Sequence, residues 1–171
     1  MRDKKVSILV EGALMVAASF LLSLVKVYEA PYGGSVTLGS MVPILIYSAR
    51  HGVYPGLLAG AVEGIVQLIL EPYIVHPVQV VLDYPLAFGL LGLAGLFRQR
   101  VILGSFVGIL GRFISHFLSG VIFFSQYAPK GMSPYLYSLL YNGAYLLPEF
   151  IVSAVVLRVV LYSFVKKSAS A

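Results

Sequence analysis

A chain of 171 residues that is 59% hydrophobic and 11% charged, with a mean hydropathy of +0.92, is not an ordinary soluble domain, in which about 25% of residues carry charge. The absence of cysteine excludes disulfides, thiolate metal sites and cysteine nucleophiles. A net charge of +5 would suit nucleic acid, but the basic residues are scattered at segment ends, where in a membrane protein they report orientation; no nucleic-acid partner is expected.

The apolar runs are long and continuous, which favours membrane-spanning helices over the alternating ten-residue strands of a barrel. Six segments are predicted, at 6–27, 36–50, 53–71, 77–97, 101–127 and 134–165, as one substrate-binding transmembrane domain over 1–171. The first has a basic flank but no small-residue cleavage site, so it is read as a retained helix. Along it, Ala13 and Ala17 form a small-xxx-small face, suited equally to internal packing and to an external docking surface. The second segment is short and interrupted by Gly39 and Pro43, which predicts a broken or tilted element. The third ends at Glu71-Pro72, and Ser133-Pro134 reads as the N-cap and first position of the sixth. With six spans both termini share one side. That side would hold Arg2, Lys4, Lys5, Arg50, Arg98, Arg100, Lys166 and Lys167, against Lys26 and Lys130 on the other, so both termini are predicted cytoplasmic. Glu11 and Arg158 are close enough to that side for structural roles.

Three segments carry polar residues at helical spacing. On the fourth, His76, Gln79 and Asp83 fall at i, i+3 and i+7; on the fifth, Arg112, Ser115, His116 and Ser119; on the sixth, Ser138, Tyr141, Asn142, Tyr145 and Glu149, with Tyr137 alongside. A carboxylate near the bilayer centre costs roughly 2.5–3.5 kcal/mol, so Asp83 requires a partner, a wet cavity or a cationic ligand. Three polar stripes predict one interior site, in the outer half of the membrane, with Tyr73, Tyr84, Phe124, Tyr137 and Tyr141 as its aromatic walls. Carboxylate, imidazole, amide and rings together suit a flat, heterocyclic, cationic ligand. Asp83 and Arg112 could instead form a structural ion pair. Glu63 and Gln67, one turn apart, could line the same cavity or bind another helix. No metal or cofactor site, Walker loop, dinucleotide fingerprint or nucleophile–base pair is evident, so the chain is not expected to be an enzyme.

The stretches His76–Gly89, His116–Gly131 and Tyr137–Gly143 (Tyr-Ser-Leu-Leu-Tyr-Asn-Gly) resemble the thiamine-specific substrate-binding subunits of energy-coupling factor transporters, the ThiT/YuaJ family. The resemblance implies a six-helix bundle in a prokaryotic plasma membrane that binds thiamine near its outer face. Asp83, Asn142 and Tyr137 would hold the aminopyrimidine, His116 and Phe124 would pack against the thiazolium, and Tyr73 and Tyr84 would complete the pocket. It also implies that Ala13 and Ala17 dock onto a transmembrane coupling subunit that carries two ATPases. The sequence departs from the family pattern at Asp83, where Glu is more frequent, at Phe124, where Trp is common, at Gly33-Gly34, where an aromatic would be expected, and in the extra acid Glu63. Two other functions share these features: the same fold with another vitamin or a pyrimidine precursor, or a stand-alone ion-coupled transporter using Asp83, Glu63 and Arg112 as an ion path.

Overall fold

The computed structural model describes the backbone of residues 2–169 and the side chains of 3–160 apart from that of Tyr32. Helix α1 (Arg2–Ser23) leads into an antiparallel hairpin of β1 (Lys26–Glu29) and β2 (Ser35–Thr37). Then follow α2 (Val42–His51), α3 (Val53–Leu70), α4 (Pro77–Phe97), α5 (Val101–Phe123) and α6 (Pro134–Ala169). Among the described residues, five of these helices are long and apolar enough to cross a membrane: α1, α3, α4, α5 and α6.

The predicted second segment takes a different form. It divides into β2, a turn and the ten-residue α2. At 1.5 Å per residue α2 is about 15 Å long, half the ~30 Å hydrocarbon thickness. The break falls at Gly39, whose φ of 87° is left-handed, and Pro43 lies in the first turn of α2, where its missing N–H costs no helical bond. The hairpin is the other departure from an all-helical expectation. Strands of four and three residues are too short to show a period of two.

Irregular backbone inside a membrane bundle must be satisfied by protein groups. Here Glu149 of α6 does this. Its carboxylate accepts from the Thr37 backbone N–H at 2.6 Å and from Thr37 Oγ1 at 2.5 Å. The Ser40 N–H donates to Thr37 Oγ1 at 3.0 Å, and Ser19 Oγ of α1 donates to the Ser40 carbonyl at 2.6 Å. All four side chains are buried. The base of the hairpin is thus clasped between α1 and α6.

Helix α4 is not uniform. Pro77–Val81 is α-helical, Leu82–Leu86 widens into a π turn, and Leu90–Phe97 tightens to 3₁₀ geometry. Pro85 within the widened turn has no N–H to give the α-helical ladder, and its ring crowds the preceding turn. Helix α3 packs directly on this turn because residue 64 is glycine: a Cβ there would lie 2.6 Å from the Tyr84 carbonyl carbon and 2.9 Å from the Pro85 nitrogen.

At the end opposite the hairpin, the Arg98 guanidinium donates to the carbonyls of Ala49, at 3.2 Å, and Arg50, and so caps α2. Arg50 and His51 each approach Glu11 at 3.0 Å, joining α1 to α2, so Glu11 has the structural role assigned to it. The side chains of Arg2, Lys166 and Lys167, which enter the charge count for orientation, lie outside the described residues. Ile44, Leu45, Leu91, Ala94, Ile109 and Leu157 form the apolar core where α2, α4, α5 and α6 meet. On α1 the inward residues are Gly12, Val16 and Ser19, while Ala13 and Ala17 lie on the exposed face; internal packing does not account for the pair.

Candidate functional site

At the hairpin end the helices part around a cavity of about 400 Å³. Helices α4, α5 and α6 supply three walls, the hairpin a fourth and the α3–α4 connection the rim. Ten of the sequence-predicted residues line it: Tyr73, Gln79, Asp83, Tyr84, Arg112, His116, Phe124, Tyr137, Tyr141 and Asn142. The three polar stripes do converge.

Asp83 sits in the widened turn of α4 and is met by three neighbours. Gln79 Nε2 donates to Oδ2 at 2.7 Å, Ser119 Oγ donates to the same oxygen at 2.8 Å, and His116 Nδ1 lies 3.0 Å from Oδ1. Arg112 does not reach Asp83. Its Nε–H donates to His116 Nε2 at 3.3 Å, and the guanidinium carbon lies 3.9 Å from the centroid of the Phe88 ring. An arginine can only donate, so His116 Nε2 is bare and the imidazole proton sits on Nδ1, where it donates to Asp83. The direct ion pair considered from sequence is therefore replaced by a relay, in which a neutral imidazole separates guanidinium from carboxylate. The relay offsets the cost of Asp83 and leaves the carboxylate facing the cavity with neutral direct partners. The widened turn is also tied to α5, since Ser115 Oγ donates to the Leu82 carbonyl at 2.6 Å.

Across the cavity, Asn142 is wired through α5 and α6. Its Nδ2 donates to the Ser138 carbonyl at 2.9 Å and approaches the His116 carbonyl at 3.4 Å; its Oδ1 accepts from Tyr145 Oη at 2.8 Å. Both carbonyls are acceptors only, so the amide orientation is fixed and the atom left to a ligand is the second lone pair of Oδ1. Asp83 and Asn142 thus both present acceptors, which suits a ligand rich in N–H donors. Two aromatic strings line the cavity: Tyr73 to Phe124 at 5.9 Å and Phe124 to Tyr127 at 6.1 Å in one, Tyr137 to Tyr141 at 6.0 Å and Tyr141 to Tyr145 at 5.9 Å between ring centroids in the other.

Five predicted members do not line the cavity: Ser115 and Ser119 stand behind it on Leu82 and Asp83, Glu149 holds the hairpin base, and His76 and Glu63 stand elsewhere. His76 leaves the stripe because it is the N-cap of α4: its Nδ1 accepts from the Val78 N–H at 3.1 Å, and its ring stacks on Phe123 at 5.0 Å. Glu63 is fully buried but does not line the cavity; Gln67 does, and its Nε2 donates to Glu63 Oε1 and to Ser23 Oγ, both at 2.8 Å. Gln79 and Tyr84 also hold the rim. Gln79 accepts from the Val75 N–H at 3.0 Å and donates to the Tyr73 carbonyl at 3.1 Å, while Tyr84 Oη accepts from the Tyr73 N–H at 2.8 Å and donates to the Glu71 carbonyl at 2.9 Å.

The sequence reading omitted the hairpin wall. Lys26, Glu29, Gly33, Gly34 and Ser35 all line the cavity. Tyr141 Oη donates to the Pro31 carbonyl and accepts from the Gly34 N–H at 3.3 Å. Gly34 lies flat on Tyr145, with room for no Cβ: one would fall 2.6 Å from a ring carbon. Lys26 Nζ pairs with Glu71 at 2.7 Å and with Glu29 at 3.0 Å, and the hydrogen-bonded Glu71 carboxylate raises the Lys26 pKa above that of an ordinary lysine. Gly33-Gly34 enters the sequence reading only as a departure from the family pattern, and Lys26, Glu29 and Ser35 carry no helical periodicity that would mark them.

Comparison with known proteins gives a consistent result. The family model described as thiamine transporter protein (Thia_YuaJ) matches residues 9–169. The thiamine transporter ThiT of Bacillus subtilis is 37% identical over 175 positions, covering 91% of each chain. The thiamine transporter ThiT of Lacticaseibacillus paracasei is 31% identical over 181 positions, covering 94% of this chain and 89% of that one. A solved structure of ThiT from Listeria monocytogenes superposes with a TM-score of 0.85 at 26% identity, over 95% of this chain and 97% of the other.

Proposed function

The chain belongs to the Thia_YuaJ family, whose members are transport proteins rather than enzymes, and from that premise we propose that it captures thiamine as the substrate-binding subunit of an energy-coupling factor importer. It is a multi-pass membrane protein of a kind found in bacteria. The observation that carries the ligand assignment is Asp83: a carboxylate turned toward an aromatic-walled cavity, its direct partners Gln79, His116 and Ser119 all neutral. A cationic aminopyrimidine complements it. In this reading Asp83, Asn142 and Tyr137 hold the aminopyrimidine, with the free lone pair of Asn142 Oδ1 accepting from its amine. His116 and Phe124 lie against the thiazolium, whose charge the rings attract. Tyr73, Tyr84 and Tyr141 enclose the ligand, while Gln79 and Arg112 act through Asp83 and His116.

The chain crosses the membrane six times in this reading, the second pass being composite: β2, the turn held by Glu149, and α2. Both termini are then cytoplasmic, the cavity opens outward, and Arg50 and Arg98 lie inside. The exposed Ala13/Ala17 face of α1 docks onto a transmembrane coupling subunit, which with two ATPases supplies the energy for release. No part of the chain itself carries a nucleotide-binding motif.

The test is equilibrium binding by the purified protein. Thiamine binds the wild type, and Asp83→Asn and His116→Ala each weaken it by at least about tenfold, roughly 1.4 kcal/mol. Undiminished binding in both variants would sink the site assignment. Tighter binding of a pyrimidine precursor than of thiamine would reassign the ligand within the same cavity.

A further inference from the structure

Helix α3 contributes to the cavity wall one amide whose partners decide which of its atoms a ligand meets. Ser23 Oγ gives its proton to the Phe20 carbonyl at 2.7 Å, so toward Gln67 it can only accept. The Glu63 carboxylate can also only accept, and Glu63 is fully buried. Gln67 Nε2 donates to both, at 2.8 Å each, which uses the N–H groups of the amide behind the wall. The Ser23 contact thus fixes which way round the amide stands. Its Oε1 has no hydrogen-bond partner among the described residues, and Gln67 lines the cavity. The height of Gln67 is fixed as well. One turn earlier Gly64 lies against the Tyr84 carbonyl, and one turn later the Glu71 carbonyl accepts from Tyr84 Oη. Gln67 therefore stands at the rim end of the cavity, beside Tyr84 and near the Tyr73–Phe124 contact.

We infer that Gln67 is a specificity-determining residue: its Oε1 accepts a hydrogen bond from the ligand's hydroxyl group, and Glu63 is the positioning residue that holds the amide in that orientation. This rests on the thiamine reading. Thiamine carries a hydroxyl at the end of the two-carbon chain on its thiazolium ring. With the aminopyrimidine on Asp83 and Asn142 and the thiazolium against Phe124, that hydroxyl reaches the α3 wall. An acceptor there distinguishes the free alcohol from two relatives. An analogue ending in a plain ethyl group leaves Oε1 desolvated and unpaired. A phosphate ester brings an anion to a wall that offers it no donor. The ammonium at the rim does not supply one, since Lys26 Nζ already meets Glu29 at 3.0 Å and the two oxygens of Glu71 at 2.7 and 2.8 Å. The buried acid that departs from the family pattern thereby gains a role: it stands behind the cavity and sets the polarity of the residue in front of it.

The experiment titrates the full chain in nanodiscs with thiamine, with the analogue whose hydroxyethyl chain is replaced by ethyl, and with thiamine monophosphate. The wild type binds thiamine about tenfold more tightly than either. Gln67→Met weakens thiamine by about fivefold and changes the ethyl analogue by less than about twofold, so the preference collapses. Glu63→Leu lets the amide turn and narrows the preference by about threefold. Glu63→Gln keeps the wild-type preference, because its carbonyl still accepts from Gln67; a role in packing alone would not separate the two Glu63 variants in this ratio. An undiminished preference in Gln67→Met, or monophosphate bound by the wild type as tightly as thiamine, overturns the inference and leaves thiamine as the ligand. If Gln67→Met does not fold, the Glu63 variants decide by the same ratio, and equal preferences in both overturn it. Wild-type protein that binds no thiamine refutes the ligand assignment on which the inference rests.

Discussion

The two ends of this bundle are built on opposite principles. Away from the hairpin, helices meet backbone to backbone: a Cβ at Gly92 would lie 2.6 Å from the Gly56 carbonyl carbon, and one at Gly108 would lie 2.8 Å from the Leu91 carbonyl oxygen. At the hairpin end α3 still meets the widened turn of α4 at Gly64, but Tyr84, His116, Phe124, Tyr137 and Tyr145, from α4, α5 and α6 and their ends, surround a cavity. The difference teaches how a small membrane protein holds an open site. Lipid tails are as apolar as leucine, so helix association rests on close packing, which glycine permits and a cavity forbids. The packed end supplies the stability that the hollow end lacks.

Three substitutions probe this division. Gly92→Leu forces α3 and α4 apart and costs about 3 kcal/mol, lowering the unfolding temperature in detergent by about 10 °C. A thermal scan showing no shift would remove the packed end from the account. Tyr84→Phe acts at the hollow end. It leaves the Tyr73 N–H and the Glu71 carbonyl without their partner, and thiamine binding weakens by about fivefold, about 1 kcal/mol, while the unfolding temperature moves little. Calorimetric titration together with the same thermal scan separates the two effects. Ala13→Leu touches neither end, because Ala13 is exposed. Binding and unfolding temperature are unchanged, and uptake by the assembled importer falls; full uptake by that variant would end the docking assignment.

The helices and the convergence of their polar faces were legible because hydropathy and a period of 3.6 are properties of sequence alone. Gln79, Asp83, His116 and Asn142 line the cavity on the faces that counting gives them, while Ser115 and Ser119 stand behind it on Leu82 and Asp83. His76 was misplaced because the same count cannot see that a residue preceding Pro77 is a cap, its backbone extended and its side chain folded onto Val78. Glu63 and Gln67 were left open between cavity and helix contact because spacing puts both on one face without saying which reaches the cavity; Gln67 does, and Glu63 stands behind it. The hairpin was illegible for a different reason. Its strands are short, their pairing is set by Glu149 and Tyr141, more than a hundred residues away, and no local pattern encodes a partner at that separation. The relay from Arg112 through His116 is likewise a matter of rotamers, although all of its members were named.

The widened turn at Leu82–Leu86 has a consequence for how α4 serves both ends. An α-helix advances about 100° per residue, so a turn that takes in one extra residue rotates everything beyond it by about that angle relative to an unbroken rod. The azimuth of Asp83 toward α5 is thereby decoupled from the azimuth of Gly92 toward α3. A regular helix would have to satisfy both with one phase. This one carries a phase shifter in its middle, so each half can be tuned by mutation without turning the other out of register.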